Sequence, residues 1–183
     1  SSAGKFVDVF EKKIASYTGA KYAIATSNAT SALHISLILG NVSDENEVIT
    51  QPLTFVATCN AISYLGAHPT FVDVDLDTMG LSPNAVSNFL EEYGELREDG
   101  CYNKKTGRKI VACMPMHTFG FPVHLDELLI VCNRWKITLV EDAAESIGSE
   151  YKGKPTGSFG KVAVFSFNGN KIVTSGGGGA ITT

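Results

Sequence analysis

Lys171 is the side chain in this sequence with the most chemical options. It sits in SFNGNKIVTSGGGGAIT, residues 166–182, five positions after Ser166 and shortly before four consecutive glycines. A lysine so placed is a solvated surface charge, a phosphate-binding cation or an imine-forming nucleophile. The phosphate-loop order G-x-x-x-x-G-K-[ST] fails, because Lys171 precedes the glycines and Ile172 follows it. A dinucleotide G-x-G-x-x-G is equally absent after the first strand, which leads into ATSNATSAL. The imine role stays open, since desolvation lowers the cost of a neutral amine.

Three other segments offer matching chemistry. LVEDAAES closes an apolar run with Glu141 and Asp142, whose side chains point to opposite faces of a strand. One faces a helix or solvent and the other a crevice; alone, Asp142 also reads as a helix cap. SNATSAL opens a helix, where free N–H groups, small residues and the Thr30 and Ser31 hydroxyls suit a phosphate as well as they suit an ordinary N-cap. Phe55 in QPLTFVAT either covers a flat ring or plugs the core. Taken together, lysine, acid, anion cup and ring surface match pyridoxal 5′-phosphate. That cofactor needs a Schiff-base lysine, an acid for its pyridinium nitrogen, a phosphate cup and a surface against its ring.

These segments need a frame. Apolar periodicity predicts helices over residues 6–17, from Ser27 or Asn28 to Leu39, over 55–66, over 82–92 and over 123–135. Strands are predicted at 22–26, up to Gln51, at 69–75, 109–116, 137–142 and 161–167, and another begins after the glycines. Residues 93–108 are polar and predict an exposed loop or hairpin. Strands alternating with helices predict an α/β fold, a mainly parallel central sheet with helices on both faces. In such sheets ligands bind at the carboxyl ends of strands, where all four segments lie.

Composition is that of an ordinary globular domain: 183 residues, 44% hydrophobic and 19% charged, with a net charge of -4. Interspersed charges exclude a nucleic-acid footprint or a basic membrane surface. No apolar run is long enough to span a bilayer. Cys59, Cys101, Cys113 and Cys132 form no CxxC pair, so they read as thiols of a reducing cytoplasm, three of them buried. His117 and His124, seven apart across a Phe-Gly-Phe-Pro turn, have poor spacing for a metal, and none is expected. Ser-Ser-Ala-Gly at the start and GGGGAITT at the end read as cut ends, the last strand lacking a partner after it.

In combination, NATSALH, PLTFVATCNAI, FVDVD, MHTFGFPVHLDEL, VEDAAESIGSEYKGKPTGSFG and FSFNGNKIVTSGGGGAI resemble the DegT/StrS-type nucleotide-sugar aminotransferases over essentially the whole chain. Within them the chain is most similar to the 4-aminotransferases of UDP-4-keto-6-deoxy-N-acetylhexosamines. The resemblance implies the large domain of a fold-type I pyridoxal phosphate enzyme, with residues 1–183 an incomplete version of it lacking the smaller C-terminal domain. It implies Lys171 as the Schiff-base lysine and Asp142 on the pyridinium nitrogen, with Phe55 on the ring. Ala29, Thr30 and Ser166 would meet the phosphate, and Glu145 would sit near the ring hydroxyl. Glutamate as amino donor, a nucleotide-sugar acceptor and a homodimer follow from the same resemblance. Ala29 and Gly177 stand where members commonly have Gly and Glu. The competing expectation is a non-catalytic α/β domain that holds a phosphorylated ligand, with Lys171 a charge contact and Asp142 a cap.

Overall fold

The computed structural model describes residues 4–183. The chain opens with α1 (Lys5–Thr18), stopped by Gly19 at φ 71°, and continues through β1 (Ala23–Thr26) and α2 (Ala29–Leu39). β2 (Glu47–Thr50), α3 (Val56–Ser63) and β3 (His68–Phe71) follow, then α4 (Pro83–Tyr93). β4 (Gly94–Arg97) and β5 (Gly100–Asn103) form a hairpin before β6 (Lys109–Cys113), α5 (Leu125–Arg134) and β7 (Thr138–Asp142). A small hairpin of β8 (Glu150–Tyr151) and β9 (Lys154–Pro155) leads to β10 (Val162–Ser166) and β11 (Gly179–Thr182).

The main sheet runs β1-β11-β10-β7-β6-β2-β3. Its middle, from β10 to β3, is parallel throughout. β11 is antiparallel to both β10 and β1, so the strand with no partner sequence after it is paired on each side. Both neighbours precede it in the chain, which the local pattern around the glycines does not reveal.

Parallel strands are covered on both faces and read as continuous apolar runs. Their alternation divides the core. Val48, Ala112, Val140 and Val164 pack beneath α2 and α3, against Leu33, Leu37 and Ile62. Their chain neighbours Ile49, Cys113 and Leu139 pack on the other face against Val86 and Leu90 of α4 and Leu125, Leu128 and Cys132 of α5. Cys113 and Cys132 are buried thiols, as their apolar and helical contexts imply; Cys101 is buried as well, although it lies in the polar 93–108 segment, and Cys59 is only half-buried. α1 follows its predicted stripe only in part: Ile14 is buried and Phe10 packs beside it, whereas Val7 and Tyr17 are exposed. Among the described residues no helix is long and apolar enough to cross a membrane.

Residues 93–108 take the hairpin form. The buried Glu47 carboxylate at the start of β2 accepts from Asn103 Nδ2 (2.8 Å), Thr106 Oγ1 (2.5 Å) and Thr70 Oγ1 (3.0 Å). Neutral donors thereby hold the hairpin against the amino-terminal end of the sheet, leaving the opposite end free for chemistry.

Candidate active site

The carboxyl ends of β1, β2, β7 and β10 meet at one edge of the sheet, together with the amino end of β11. Thr26 and Ser166 both pair with Gly179, and Asp142 pairs with Val164. A cleft of about 380 Å³ opens at this edge, and Ala29, Thr30, Phe55, Asp142, Glu145, Ser166 and Lys171 all line it. Stretches far apart in the chain thus meet at one cavity, while Ser31 and Glu141 do not line it.

Asp142 ends β7 with its side chain almost fully buried. Thr58 Oγ1 donates to its Oδ2 (2.7 Å) and the Ala144 N–H to its Oδ1 (3.2 Å). Ala143–Glu145 is a turn rather than a helix, so the helix-cap reading does not apply. Burial pushes the carboxyl up from its ordinary range, against the Thr58 and Ala144 bonds and the positive fields of His117 and Lys171. It is therefore an acid short of positive charge, set at the floor of the cleft.

Glu141 points the other way, as alternation requires, but it meets neither a helix nor solvent. It is fully buried. Its two oxygens accept from the N–H groups of Gly157 (2.8 Å), Phe159 (2.8 Å) and Gly160 (2.6 Å), and Oε2 lies 3.2 Å from His117 Nε2. Burial alone would raise its pKa, yet the His117 contact and the backbone donors outweigh this and hold it below the ordinary value. The His117 backbone N–H donates to the Asp142 carbonyl (3.1 Å), so this pair secures the strand end from which Asp142 projects.

Lys171 lies in the loop after β10. Nζ donates to Glu145 Oε1 (2.8 Å) and sits 5.8 Å from the centre of the Phe55 ring. Its side chain is only 13% exposed, which removes the reading as a freely solvated charge. Phe55, at the N-cap position of α3, is 63% exposed and so is no core plug. The same helix supplies Thr58, one turn further on.

The N-terminus of α2 is capped by Asn28, whose Oδ1 accepts from the Ser31 N–H (2.8 Å). A helix leaves its first N–H groups without intrahelical partners, so those of Ala29 and Thr30 are available to an anion. Ser166 Oγ lies on the facing strand end and accepts from the Asn168 N–H (3.4 Å). Gly179 explains part of the glycine run. A Cβ there would stand 2.7 Å from the Ala29 nitrogen, so only glycine lets β11 pass the helix start. Gly178, at φ 108°, takes a conformation that side chains disfavour.

Sequence reasoning missed several supporting residues. Thr58 was hidden inside an ordinary helical pattern. Gln51 is buried and fully bonded: Oε1 accepts from Leu81 and Met116 N–H groups, while Nε2 donates to Leu53 O and Thr118 Oγ1. It ties together loops that border the cleft. The histidine spacing also concealed a cluster outside the cleft. There His124 pairs with Asp77 (3.0 Å), and Asp75 lies close enough that ligand atoms of all three fall within 4.8 Å.

Comparison with known proteins fits this arrangement. The family model for the DegT/DnrJ/EryC1/StrS aminotransferases matches residues 1–183. GDP-perosamine synthase of Caulobacter vibrioides is 39% identical over 183 residues, which is 100% of this chain and 45% of that protein. The crystal structure of DesI in the presence of its TDP-sugar product superposes with a TM-score of 0.83 at 33% identity, covering 98% of this chain and 41% of DesI. The NtdA structure from Bacillus subtilis with bound cofactor PMP gives a TM-score of 0.80 at 27% identity, covering 98% of this chain and 37% of NtdA. The chain thus spans less than half the length of the relatives it matches. With its fold, its strand-end cleft and a match along all of its residues, this chain belongs to the DegT/DnrJ/EryC1/StrS aminotransferase family.

Proposed function

We propose that residues 1–183 are the cofactor-binding large domain of a pyridoxal phosphate-dependent aminotransferase. Its reaction would move an amino group from glutamate to the C4 keto carbon of a nucleotide-linked deoxysugar, in a cytoplasmic homodimer. The observation that carries this reading is the convergence of Lys171, Asp142, Phe55 and the α2 N-terminus on one cleft. Relatives that handle a TDP-sugar or hold PMP support it.

The residues fit the cofactor. Asp142 is a buried carboxyl lacking a cationic partner in contact, and a protonated ring nitrogen would supply that charge. The Ala29 and Thr30 N–H groups and the Ser166 hydroxyl are donors for a phosphate, aided by the helix dipole. Phe55 offers an exposed face to a ring. Glu145 is a carboxylate in the cleft that would accept from a ring hydroxyl. Lys171 carries the amine that joins the cofactor's aldehyde. When bound, the cofactor supplies an electron sink for the carbon that loses its proton.

From these positions each residue has a definable task. Asp142, once ionised by a cationic partner, keeps that partner's proton in place. Among the described residues Lys171 is the one amine lining the cleft, and it holds or moves the proton next to the reacting carbon. Phe55 and Leu33 give the cleft apolar surface that excludes water.

Incubation of the full-length enzyme that contains these residues with pyridoxal phosphate, glutamate and a UDP-4-keto-6-deoxy-N-acetylhexosamine tests the reaction, residues 1–183 alone being expected to show weak or no turnover. Formation of the 4-amino sugar nucleotide, lost in Lys171→Ala, is expected in mass spectra. Unchanged turnover in Lys171→Ala would overturn the assignment of Lys171, and no product from either protein would favour a non-catalytic ligand-binding domain.

A further inference from the structure

Glu145 makes two contacts that a simple ring-hydroxyl partner does not need. Oε1 holds Lys171 Nζ at 2.8 Å, and Oε2 accepts from the Phe119 N–H at 3.2 Å. Phe119 sits at φ 52° in a tight turn over Thr118–Gly120, and Gly120 takes φ 88°. The turn is anchored a second time where Ser149 Oγ donates to the Gly120 carbonyl (2.7 Å). One carboxylate therefore ties the lysine amine to this doubly anchored turn. The pair is sheltered, with Lys171 and Glu145 side chains 13% and 25% exposed.

The titratable groups lining the cleft are Asp142, Glu145 and Lys171. Asp142 spends its oxygens on Thr58 and Ala144, and His117 faces Glu141 behind the strand. Glu145 is the carboxylate in contact with Nζ. A lysine ammonium is no nucleophile until its proton leaves. One N–H bond must break, its electron pair staying on Nζ and its proton passing to water, and the ion pair must open for the amine to reach a carbonyl.

We propose that Glu145 is a positioning residue that restrains Lys171 as an ion pair, so that opening of the Glu145–Lys171 pair governs when this amine reacts. This role rests on the reading of Lys171 as the reactive lysine, and it gives Glu145 a task on the lysine itself beyond any contact with the cofactor. An isosteric Glu145→Gln change removes the charge but retains an acceptor for the Phe119 N–H, so the turn is preserved.

Competitive acetylation with acetic anhydride measures this without any cofactor. Peptide mass spectrometry compares Lys171 with the exposed Lys161 as an internal standard. In Glu145→Gln the Lys171 rate should rise several-fold at neutral pH relative to Lys161. Glu145→Asp, which keeps a carboxylate, should return the rate toward that of the wild type. Equal Lys171 rates in the wild type and Glu145→Gln would overturn the proposal. A parallel borohydride trapping with pyridoxal phosphate keeps the two questions apart. Faster acetylation with no pyridoxyl adduct would sustain the Glu145 role and reject the cofactor reading.

Discussion

At the scale of single residues, Asp142 carries the sharpest consequence. Its carboxyl is raised from the ordinary 3.8 by burial, so keeping it ionised in the fold costs stability. A group raised in the fold contributes stability that is fully present below its unfolded value and is lost as pH rises through the folded value. Asp142→Asn removes that loss and leaves an oxygen to accept from Ala144. In protein without cofactor, the variant should melt at a higher temperature than wild type at about pH 7, the gap closing as pH falls toward the ordinary carboxylate range. A wild-type protein that melts higher at neutral pH would show that Asp142 has a positive partner within the chain. Asp142 and Lys171 were legible because their types are conspicuous beside apolar strand ends. Thr58 and the true surroundings of Glu141 were not. Glu141 is satisfied chiefly by backbone N–H groups sixteen to nineteen residues further on, and backbone donors carry no sequence signature.

The elements show the same division. The buried parallel strands announce themselves as apolar runs, and α2, α4 and α5 by their periodicity and their starting residues. Insertion of β11 between β1 and β10 lay beyond reach, because pairing with a strand more than 150 residues earlier leaves no local trace. The glycine run can now be divided by physical need. Gly178→Ala places a side chain at φ 108° and should cost about 1–3 kcal/mol in urea unfolding. Gly177 has open space where a methyl group would stand and no positive φ, so Gly177→Ala should be neutral or stabilise by up to about 1 kcal/mol. Equal losses at both positions would mean that loop freedom, rather than backbone conformation, is what the glycines provide.

Over the whole molecule, the cleft draws on residues from Ser27 to Gly178, so nearly the full length of the chain must fold before any of its chemistry is assembled. Two apolar layers cover the faces of the sheet, the Glu47-bound hairpin packs at its amino-terminal end, and the candidate site residues gather at the other. The alternating pattern of strands and helices conveyed this polarity in advance, since ligands in such folds meet the carboxyl ends of strands. The proposed chemistry stands or falls with Lys171 as the amine that joins an aldehyde cofactor. Borohydride reduction of the protein after mixing with pyridoxal phosphate, followed by peptide mass mapping, reads this out. A pyridoxyl adduct confined to Lys171 is the expected result; adducts spread over exposed lysines with Lys171 unmodified would contradict it.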